Sequence, residues 1–329
     1  MRFDPPRGRV GAVITGVSHL GVALRRRLGD STPLGAPTVS VGNLAFGGRG
    51  KTPIAAMLAT HALRSGLRPA ILTRGYGGRR GPPRVAVGVS GEGPVWARGV
   101  RVDGVVRPSR EWATELGDEA PWMAARVPGV PVVVHPDRRL GARQAPDADL
   151  HLLDDGAQLA HDADARVLCV DPSRDPPWSA RPEAQRERPD PLARAHAVVA
   201  VDPPEGRVSG GVSHVLRRRR PVFSDLSGRT VAPPDEAIVL AGVGRPEGVV
   251  RLVRVSGVSR VRSVDLADHR RPTGRLLRSL AGASAIVVTE KDAIRWAAAW
   301  GDPRVRVLSA SLEGVEGLWA SVRAALPLC

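Results

Sequence analysis

The sequence has few of the residues that build disulfide frameworks, thiolate metal sites or base-stacking surfaces. Only two cysteines occur among 329 residues, Cys169 within an apolar run and Cys329 at the last position. This usage excludes a disulfide framework and a cysteine metal motif, and it fits a reducing cytosol. Aromatic residues make up 3% of the chain, which argues against a protein that binds single-stranded nucleic acid by stacking.

Lysine, asparagine and tyrosine are almost absent. Of 48 basic residues only Lys51 and Lys291 are lysines, Asn43 is the single asparagine and Tyr76 is the single tyrosine. In a chain so rich in arginine, we expect the few lysines at positions where a substitute fails. A compact ammonium and a planar guanidinium are not interchangeable at a phosphate. Lys51 is therefore a candidate phosphate ligand.

Acidic residues are too few to balance the basic ones, and the formal net charge is +15. Such an excess favours an anionic partner: nucleic acid, a phosphorylated substrate or an acidic membrane surface. A nucleic-acid-binding ATPase would use this charge. The sequence has no nucleic-acid-binding motif and few aromatics, so we expect no nucleic-acid partner.

The chain has no apolar run long enough to span a bilayer near its N-terminus. Residues 10–24 are uncharged but too short for a spanning helix. Arg25–Arg27 stands where a signal peptide needs small residues for cleavage. The segment instead predicts an amphipathic helix with a basic end, which contacts an anionic membrane or packs on its own domain. Its apolar face comprises Val10, Val13, Ile14, Val17, Leu20 and Leu24.

A glycine-rich stretch between Val39 and Pro53 organises the rest of the chain. An apolar strand breaks into Gly-Gly-Arg-Gly-Lys-Thr and opens a helix. The glycines let backbone N–H groups approach phosphate oxygens, and the helix N-terminus adds a positive dipole end. Lys51 would reach the β- and γ-phosphates and Thr52 would ligate Mg²⁺, although Ala45 replaces the first glycine of the strict pattern. The predicted cofactor-binding residues are Asn43, Gly47, Gly48, Gly50, Lys51 and Thr52.

Apolar runs and helical segments alternate along most of the chain, and this predicts an α/β fold with parallel sheets. The proline- and glycine-rich segment 203–235 interrupts the alternation, so we place a domain boundary there. We expect a P-loop NTPase-like α/β/α domain over residues 1–205, which includes the N-terminal amphipathic helix. A smaller second α/β/α domain, including the linker 203–235, is expected over residues 206–329.

Acidic pairs lie at the ends of two of the predicted elements. Asp154 and Asp155 end an apolar strand, as a carboxylate must to reach the Mg²⁺ of a neighbouring phosphate loop. An ordinary Asp-Asp-Gly turn has the same sequence. Asp118 and Glu119 precede a helix, where they either cap it or, beside a triphosphate, act as base and metal ligand. His269 follows an aspartate near a strand end, a position at which a lone histidine is more often structural.

These motifs, in this order, resemble the tetraacyldisaccharide 4'-kinase family of lipid A biosynthesis. The resemblance rests on Val-Gly-Asn-Leu, Gly-Gly-Arg-Gly-Lys-Thr-Pro, Arg-Gly-Tyr-Gly-Gly, Gly-Asp-Glu, Asp-Asp-Gly-x-Gln, Asp-His and Thr-Glu-Lys-Asp, and extends to about Asp292. It implies transfer of the ATP γ-phosphate, with Mg²⁺, to the 4'-hydroxyl of a tetraacylated glucosamine disaccharide 1-phosphate, giving lipid IVA. It also implies a peripheral enzyme at the cytoplasmic face of the inner membrane. We further expect a monomer.

The resemblance assigns roles to individual residues. A sugar hydroxyl is a poor nucleophile at neutral pH, so the reaction needs a proton acceptor beside the charge-neutralising groups. The implied catalytic residues are Lys51, Asp118 as base and His269 as its partner. The implied Mg²⁺ ligands are Thr52, Glu119, Asp154 and Asp155. The implied substrate residues are Tyr76, Arg138 and Gln158.

The sequence departs from the family at positions that bear on the substrate. Leu159 stands where the family usually has histidine, Arg270 follows the Asp-His pair, and only Arg186-Glu187 fits a further block. The alternative function is a P-loop GTPase or metallochaperone-like switch without kinase activity. A guanine-reading Asn-Lys-x-Asp motif is absent, because Asn43 is the single asparagine.

Overall fold

Two β-sheets form the framework of the protein. The computed structural model describes residues 18–24, 32–45, 48–159, 163–175, 192, 194–203, 211–218, 221–266, 272–296 and 301–328. The strands are β1 (Thr38–Gly42), β2 (Pro69–Thr73), β3 (Arg84–Gly88), β4 (Gly99–Val102), β5 (Val105–Pro108), β6 (Pro131–Val134), β7 (Leu150–Asp154), β8 (Ala165–Val170), β9 (Ala197–Val201), β10 (His214–Arg218), β11 (Val222–Ser224), β12 (Thr230–Val231), β13 (Glu236–Ala241), β14 (Arg260–Asp265), β15 (Ile286–Thr289), β16 (Val305–Ser309) and β17 (Leu312–Glu313).

Helices connect and cover these strands. They are α1 (18–24), α2 (Lys51–Arg64), α3 (Ala113–Leu116), α4 (Glu119–Arg126), α5 (Arg138–Ala142), α6 (Pro246–Val255), α7 (Gly274–Ser279), α8 (Glu290–Arg295) and α9 (Val315–Ala324), with a 3-10 turn at Ser109–Trp112. Among the described residues, none of these helices is both long enough and apolar enough to cross a membrane.

The larger sheet has the order β17-β10-β9-β8-β1-β7-β2-β6-β3-β4-β5. The central strands β10-β9-β8-β1-β7-β2-β6 run parallel to one another. Antiparallel pairing adds β17 at one edge and β3, β4 and β5 at the other. Every residue of β1 and β7 is buried, as expected for central strands covered on both faces. The carboxyl ends of β1 and β7 therefore meet at one edge of the sheet, where ligands bind in α/β folds.

The smaller sheet has the order β12-β11-β16-β15-β13-β14. Its last four strands in this order are parallel, and β11 and β12 pair antiparallel at the other edge. We call residues 221–309, which contain this sheet with α6, α7 and α8, the second unit. The predicted α/β architecture with parallel sheets is thus confirmed in both parts of the chain.

The segment 203–235, predicted to be a linker, contributes strands to both sheets. β10 extends the larger sheet by parallel pairing with β9, whereas β11 and β12 belong to the smaller sheet. β17 returns from the C-terminal part of the chain to pair with β10. The chain therefore leaves the larger sheet between β10 and β11, within the segment 203–235. The division into domains at residues 205 and 206 stays a prediction.

The second unit packs on the larger sheet through α4 and α8. Trp122 on α4 donates its indole N–H to Glu290 at 3.0 Å, and Arg126 pairs with the same carboxylate at 3.4 Å. One cluster of buried apolar side chains includes Val39 of β1 and Ile286 of β15. Hydrophobic burial and interhelical polar contacts therefore fix the second unit against the edge where β1 and β7 end.

Candidate active site

The glycine-rich loop connects β1 to α2 and turns sharply before the helix. Gly50 precedes the helix with φ +85°, a left-handed conformation that glycine adopts without strain, and its carbonyl accepts the N–H of Ile54 at 3.2 Å. Lys51 and Thr52 form the first turn of α2, where unpaired N–H groups and the helix dipole favour an anion. Gly48 lies against Gly244 of the second unit. Gly47 lies outside the described residues.

Two buried amides hold the start of the loop. The Asn43 side chain donates to the carbonyl of Ala45 at 2.7 Å, and the Gln158 side chain donates to the carbonyl of Asn43 at 2.7 Å. Gly42 is packed so closely that a Cβ there would stand 2.3 Å from the Cβ of Ala157. In this structure Gln158, predicted to contact substrate, contacts the loop backbone.

A buried ion pair that the sequence reasoning missed braces the loop. Arg49 is 2% exposed and binds Asp175 through two nitrogens, at 2.8 and 3.1 Å. Asp175 also accepts the N–H of Asp171, whose carboxylate pairs with Arg245 of the second unit at 2.6 Å. The loop is therefore tied through residues 171–175 to the second unit. These contacts join residues far apart in the chain, so no local pattern indicated them.

Three elements bring a hydroxyl and two carboxylates together beside the loop. The Oγ1 of Thr52 on α2 lies 3.1 Å from the Oε1 of Glu119 on α4 and 3.4 Å from the Oδ2 of Asp154 on β7. Thr73, at the end of β2, approaches the same Asp154 oxygen at 3.4 Å. Of the four predicted Mg²⁺ ligands, Thr52, Glu119 and Asp154 thus lie at one point. We call Glu119, Asp154, Asp155 and Asp118 the carboxylate cluster.

Asp155 faces Lys51, the predicted phosphate ligand. Its backbone adopts φ +60°, an uncommon conformation for a residue other than glycine, and its carboxylate lies 3.4 Å from the Lys51 ammonium. The next residue is packed so that a Cβ on Gly156 would stand 2.5 Å from the Oγ of Ser40. Close packing therefore imposes the turn that carries Asp155 toward Lys51, and strained turns of this kind concentrate at functional sites.

The two carboxylates at Thr52 differ in their tendency to ionise. Burial, reinforced by the charges of Glu119 and Asp155, raises the pKa of Asp154 to about 7. Burial also works against ionisation of Glu119, but the Lys291 ammonium outweighs it and the pKa of Glu119 lies below its ordinary value. Glu119 is therefore ionised at neutral pH, while Asp154 is close to its midpoint.

The arrangement fits a cation held together with a phosphate. The Oδ1 of Asp154 is buried and has no hydrogen-bond partner among the residues that the structure describes, although buried polar atoms normally have one. Among the described residues, no group of three His, Cys, Asp or Glu side chains forms a ready-made metal site. Mg²⁺ needs no such group, because it is usually bound by one or two carboxylates together with water and substrate phosphates.

Asp118, the predicted base, forms a buried ion pair with the second unit. It is 4% exposed and accepts bonds from the Nη2 of Arg295 and, at 3.2 Å, from the Nε of Arg295. Arg295 also donates to the carbonyl of Gly242 at 2.7 Å. Asp118 stands at the N-cap of α4 but its side chain makes no capping bond to this described helix, so the capping alternative does not hold for Asp118, whereas Glu119 lies in the first turn of the helix. The sequence reasoning missed Arg295, and His269 lies outside the described residues.

The remaining predicted substrate residues, Tyr76 and Arg138, follow two neighbouring parallel strands, β2 and β6. Tyr76 is 60% exposed on the loop after β2, and a Cβ on Gly117 would stand 2.3 Å from the Tyr76 carbonyl, so this loop lies directly against the turn before Asp118. Arg138 is buried and donates to the carbonyls of His135 at 2.7 Å and Asp154 at 3.2 Å. Burial lowers the pKa of Arg138 to about 10. Arg138 therefore braces the carboxyl ends of β6 and β7.

Comparison with known proteins places this geometry in one family. The family model described as "Tetraacyldisaccharide-1-P 4'-kinase" matches residues 11–326. A tetraacyldisaccharide 4'-kinase of Anaeromyxobacter dehalogenans (strain 2CP-C) is 35% identical, and the match covers 90% of this chain and 83% of that protein. One of Rhodospirillum centenum is 34% identical, over 83% of this chain and 78% of that protein.

A solved structure shares the fold. It is the crystal structure described as the "apo" form of LpxK from Aquifex aeolicus in complex with ATP, at 2.2 Å resolution. The TM-score is 0.63 with 22% sequence identity, and the match covers 96% of this chain and 97% of that one.

The raised pKa of Asp154 predicts a pH dependence of stability. The folded protein keeps the Asp154 proton to about pH 7, whereas the unfolded chain releases it near pH 4. The contribution of Asp154 to the free energy of unfolding of the metal-free protein should therefore fall as the pH rises from about 4 to about 7. Asp154→Asn should remove part of that fall, as measured by urea denaturation in EDTA at several pH values.

Asp149→Asn is the matched control, at the other end of the same strand. A hydrogen bond from Arg68 lowers the pKa of this exposed carboxyl, so the control should leave the fall in place. Identical pH profiles for the wild type and Asp154→Asn would contradict a raised pKa at Asp154.

Proposed function

The chain belongs to the tetraacyldisaccharide-1-P 4'-kinase family, and from that premise we propose how its residues carry out the reaction. The enzyme is a kinase that phosphorylates the 4'-hydroxyl of a tetraacylated glucosamine disaccharide 1-phosphate at the expense of ATP, forming lipid IVA. Both relatives reported above are kinases by name, so the GTPase or metallochaperone-like alternative is set aside.

The observation that carries the proposal is the convergence of the loop, Thr52 and the carboxylate cluster at one helix N-terminus. We assign the ATP phosphates to the N–H groups of Gly48, Gly50 and the first turn of α2, with Lys51 on the β- and γ-phosphates. Phosphoryl transfer asks little covalent chemistry of the protein and depends on placement and charge stabilisation. A preorganised loop and a fixed ammonium supply both.

A Mg²⁺ ion would be held by Thr52, Glu119 and Asp154, with Asp155 beside Lys51. When bound, such an ion neutralises charge on the transferring phosphoryl group. The protein's own contribution is the fixed hydroxyl of Thr52, which already contacts Glu119 and Asp154. The unpartnered oxygen of Asp154 supports the assignment.

We propose that Asp118 accepts the proton of the attacking hydroxyl. His269 orients Asp118 or shares this proton. A positioned base contributes roughly 10²- to 10⁴-fold to such a reaction. Arg295 keeps Asp118 oriented and balances its charge. A carboxylate paired with arginine is a weaker base, so we expect this contact to loosen, or His269 to take part, when the substrate binds.

We place the enzyme on the cytoplasmic face of the inner membrane, as a monomer held by its N-terminal helix. The described part of that helix supports membrane contact rather than packing, because Leu20 is 71% and Leu24 54% exposed. Exposed leucines beside Arg25–Arg27 suit an interface with anionic lipid. Tyr76, exposed beside the Asp118 turn, is assigned to the substrate. Arg138 and Gln158 are assigned a supporting role, because they donate to the backbone carbonyls of Asp154 and Asn43.

Lys51→Met should abolish kinase activity without loss of the fold, because the ammonium serves the phosphates. We expect a loss of at least about 10²-fold in kcat, the effect of removing a group that stabilises transition-state charge. The assay is transfer of radiolabelled phosphate from ATP to the disaccharide 1-phosphate, followed by thin-layer separation. Arg64→Met, at the exposed far end of the same helix, is the charge-matched control. Near-normal turnover by Lys51→Met would overturn the nucleotide assignment.

Asp118 and His269 should behave as one unit. Asp118→Asn is the appropriate change, because it keeps an oxygen that can accept a hydrogen bond from Arg295, whereas Asp118→Ala would remove that acceptor. Asp118→Asn should lower kcat strongly with little change in ATP affinity, and His269→Ala should lower it less. The double variant should be no worse than Asp118→Asn. Fully additive losses, with unfolding midpoints unchanged, would show that the two residues act separately.

The exposed leucines of α1 should govern membrane binding. Leu20→Glu with Leu24→Glu should abolish sedimentation with anionic vesicles, and salt should weaken the binding of the wild type. Leu63→Glu, at another exposed leucine, is the control. Unchanged binding in the double variant, or after deletion of residues 1–27, would rule out this anchor.

A further inference from the structure

Both lysines of the chain contact the carboxylate cluster. The Lys51 ammonium lies 3.4 Å from Asp155, and the Lys291 ammonium lies 2.9 Å from Glu119. All other members of the 48 lysines and arginines are arginine. A sequence that uses arginine almost everywhere therefore uses lysine at two contacts with the same cluster. The role of Lys51 follows from the phosphate loop, whereas that of Lys291 has not been accounted for.

Lys291 reaches the site from the second unit. It lies in the first turn of α8, and its ammonium donates to the Oε1 of Glu119, the same oxygen that accepts from Thr52 at 3.1 Å. Two donors on opposite units thus fix one carboxylate oxygen.

Each cation at the cluster has its own carboxylate. Lys51 faces Asp155, Arg295 faces Asp118, and Lys291 faces Glu119. Lys291 and Arg295 are four residues apart on α8 and so lie on one helix face. Asp118 and Glu119, adjacent at the start of α4, therefore each face a cation from α8. Removal of Lys291 would leave Glu119 without this partner and make the cluster more negative, where a triphosphate must bind.

We propose that Lys291 is a positioning residue of the kinase site, through which the second unit orients Glu119 and sets the charge that the nucleotide meets. The proposal rests on the proposed function, since Glu119 matters only if a metal–nucleotide complex binds there. Groups that orient a metal ligand typically contribute 10- to 100-fold to activity or metal affinity. A compact ammonium and a planar guanidinium differ in the geometry they impose on Glu119.

Arg126 offers a matched control. It makes another ion pair between α4 and α8, with Glu290 at 3.4 Å. The Arg126 guanidinium lies 6.0 Å from the centre of the Trp122 ring, and the Lys291 ammonium lies 5.9 Å from the same centre. Arg126→Met and Lys291→Met each remove one cation from this ring and one ion pair between the units. Of these two cations, Lys291 is the one that hydrogen-bonds Glu119.

The test compares Lys291→Met, Lys291→Arg and Arg126→Met with the wild type. Kinase activity on the disaccharide, binding of a fluorescent ATP analogue in EDTA and with Mg²⁺, and thermal unfolding without ligand are measured. Lys291→Met should lose about 10- to 100-fold in kcat and bind the analogue more weakly in EDTA. Lys291→Arg should regain analogue binding but not kcat. Arg126→Met should stay within about twofold of the wild type in both, with a similar change in unfolding midpoint.

Equal losses of activity in Lys291→Met and Arg126→Met would overturn the proposal, since Lys291 would then serve only the contact between units. Full recovery of kcat by Lys291→Arg would overturn the positioning role. Lys291→Arg keeps the test decisive if Lys291→Met fails to fold. A wild-type protein without turnover on the disaccharide would refute the proposed function instead, and the binding comparison would still test Lys291.

Discussion

The structure depends on charge balance among carboxylates that the fold crowds around one helix N-terminus. Glu119, Asp154, Asp155 and Asp118 repel one another, and burial adds to the cost of ionising them. Their cationic partners come from two places, α2 and α8. The second unit thus supplies two of the cations that face these carboxylates, Lys291 and Arg295. The contact with the second unit therefore affects the charge of the site as well as the packing.

A second set of contacts links the second unit to the phosphate loop. Arg49 is held by Asp175, and the neighbouring Asp171 is held by Arg245. Breaking one side of such a buried pair is costly, because it leaves an uncompensated charge. The loop conformation and the position of the second unit are thus coupled. The proposed nucleotide site and the positions of Lys291 and Arg295 therefore depend on the same packing of the second unit on the larger sheet.

This arrangement suits phosphoryl transfer to a lipid. The reaction depends on fixed charges more than on covalent chemistry, and the site consists of charges held by buried contacts. Leu20 and Leu24, exposed on α1, are the residues on which the proposed membrane contact rests. All other basic residues that carry a permanent charge are arginines, so the two lysines mark the contacts at which our proposals require the compact geometry of an ammonium.

Local sequence was sufficient for the phosphate loop, for most strands, and for the placement of Asp154 and Asp155 at a strand end. These features follow from glycine conformation, burial periodicity and the edge at which parallel strands end. The tertiary structure alone decided that β10 joins the larger sheet and that Gln158 contacts the loop backbone. It also decided that Lys291 meets Glu119 across 172 residues, and Arg295 meets Asp118 across 177. Contacts at such separations arise from the packing of one unit on another. The hydrophobic periodicity of a single helix does not indicate which residues of another element it will contact.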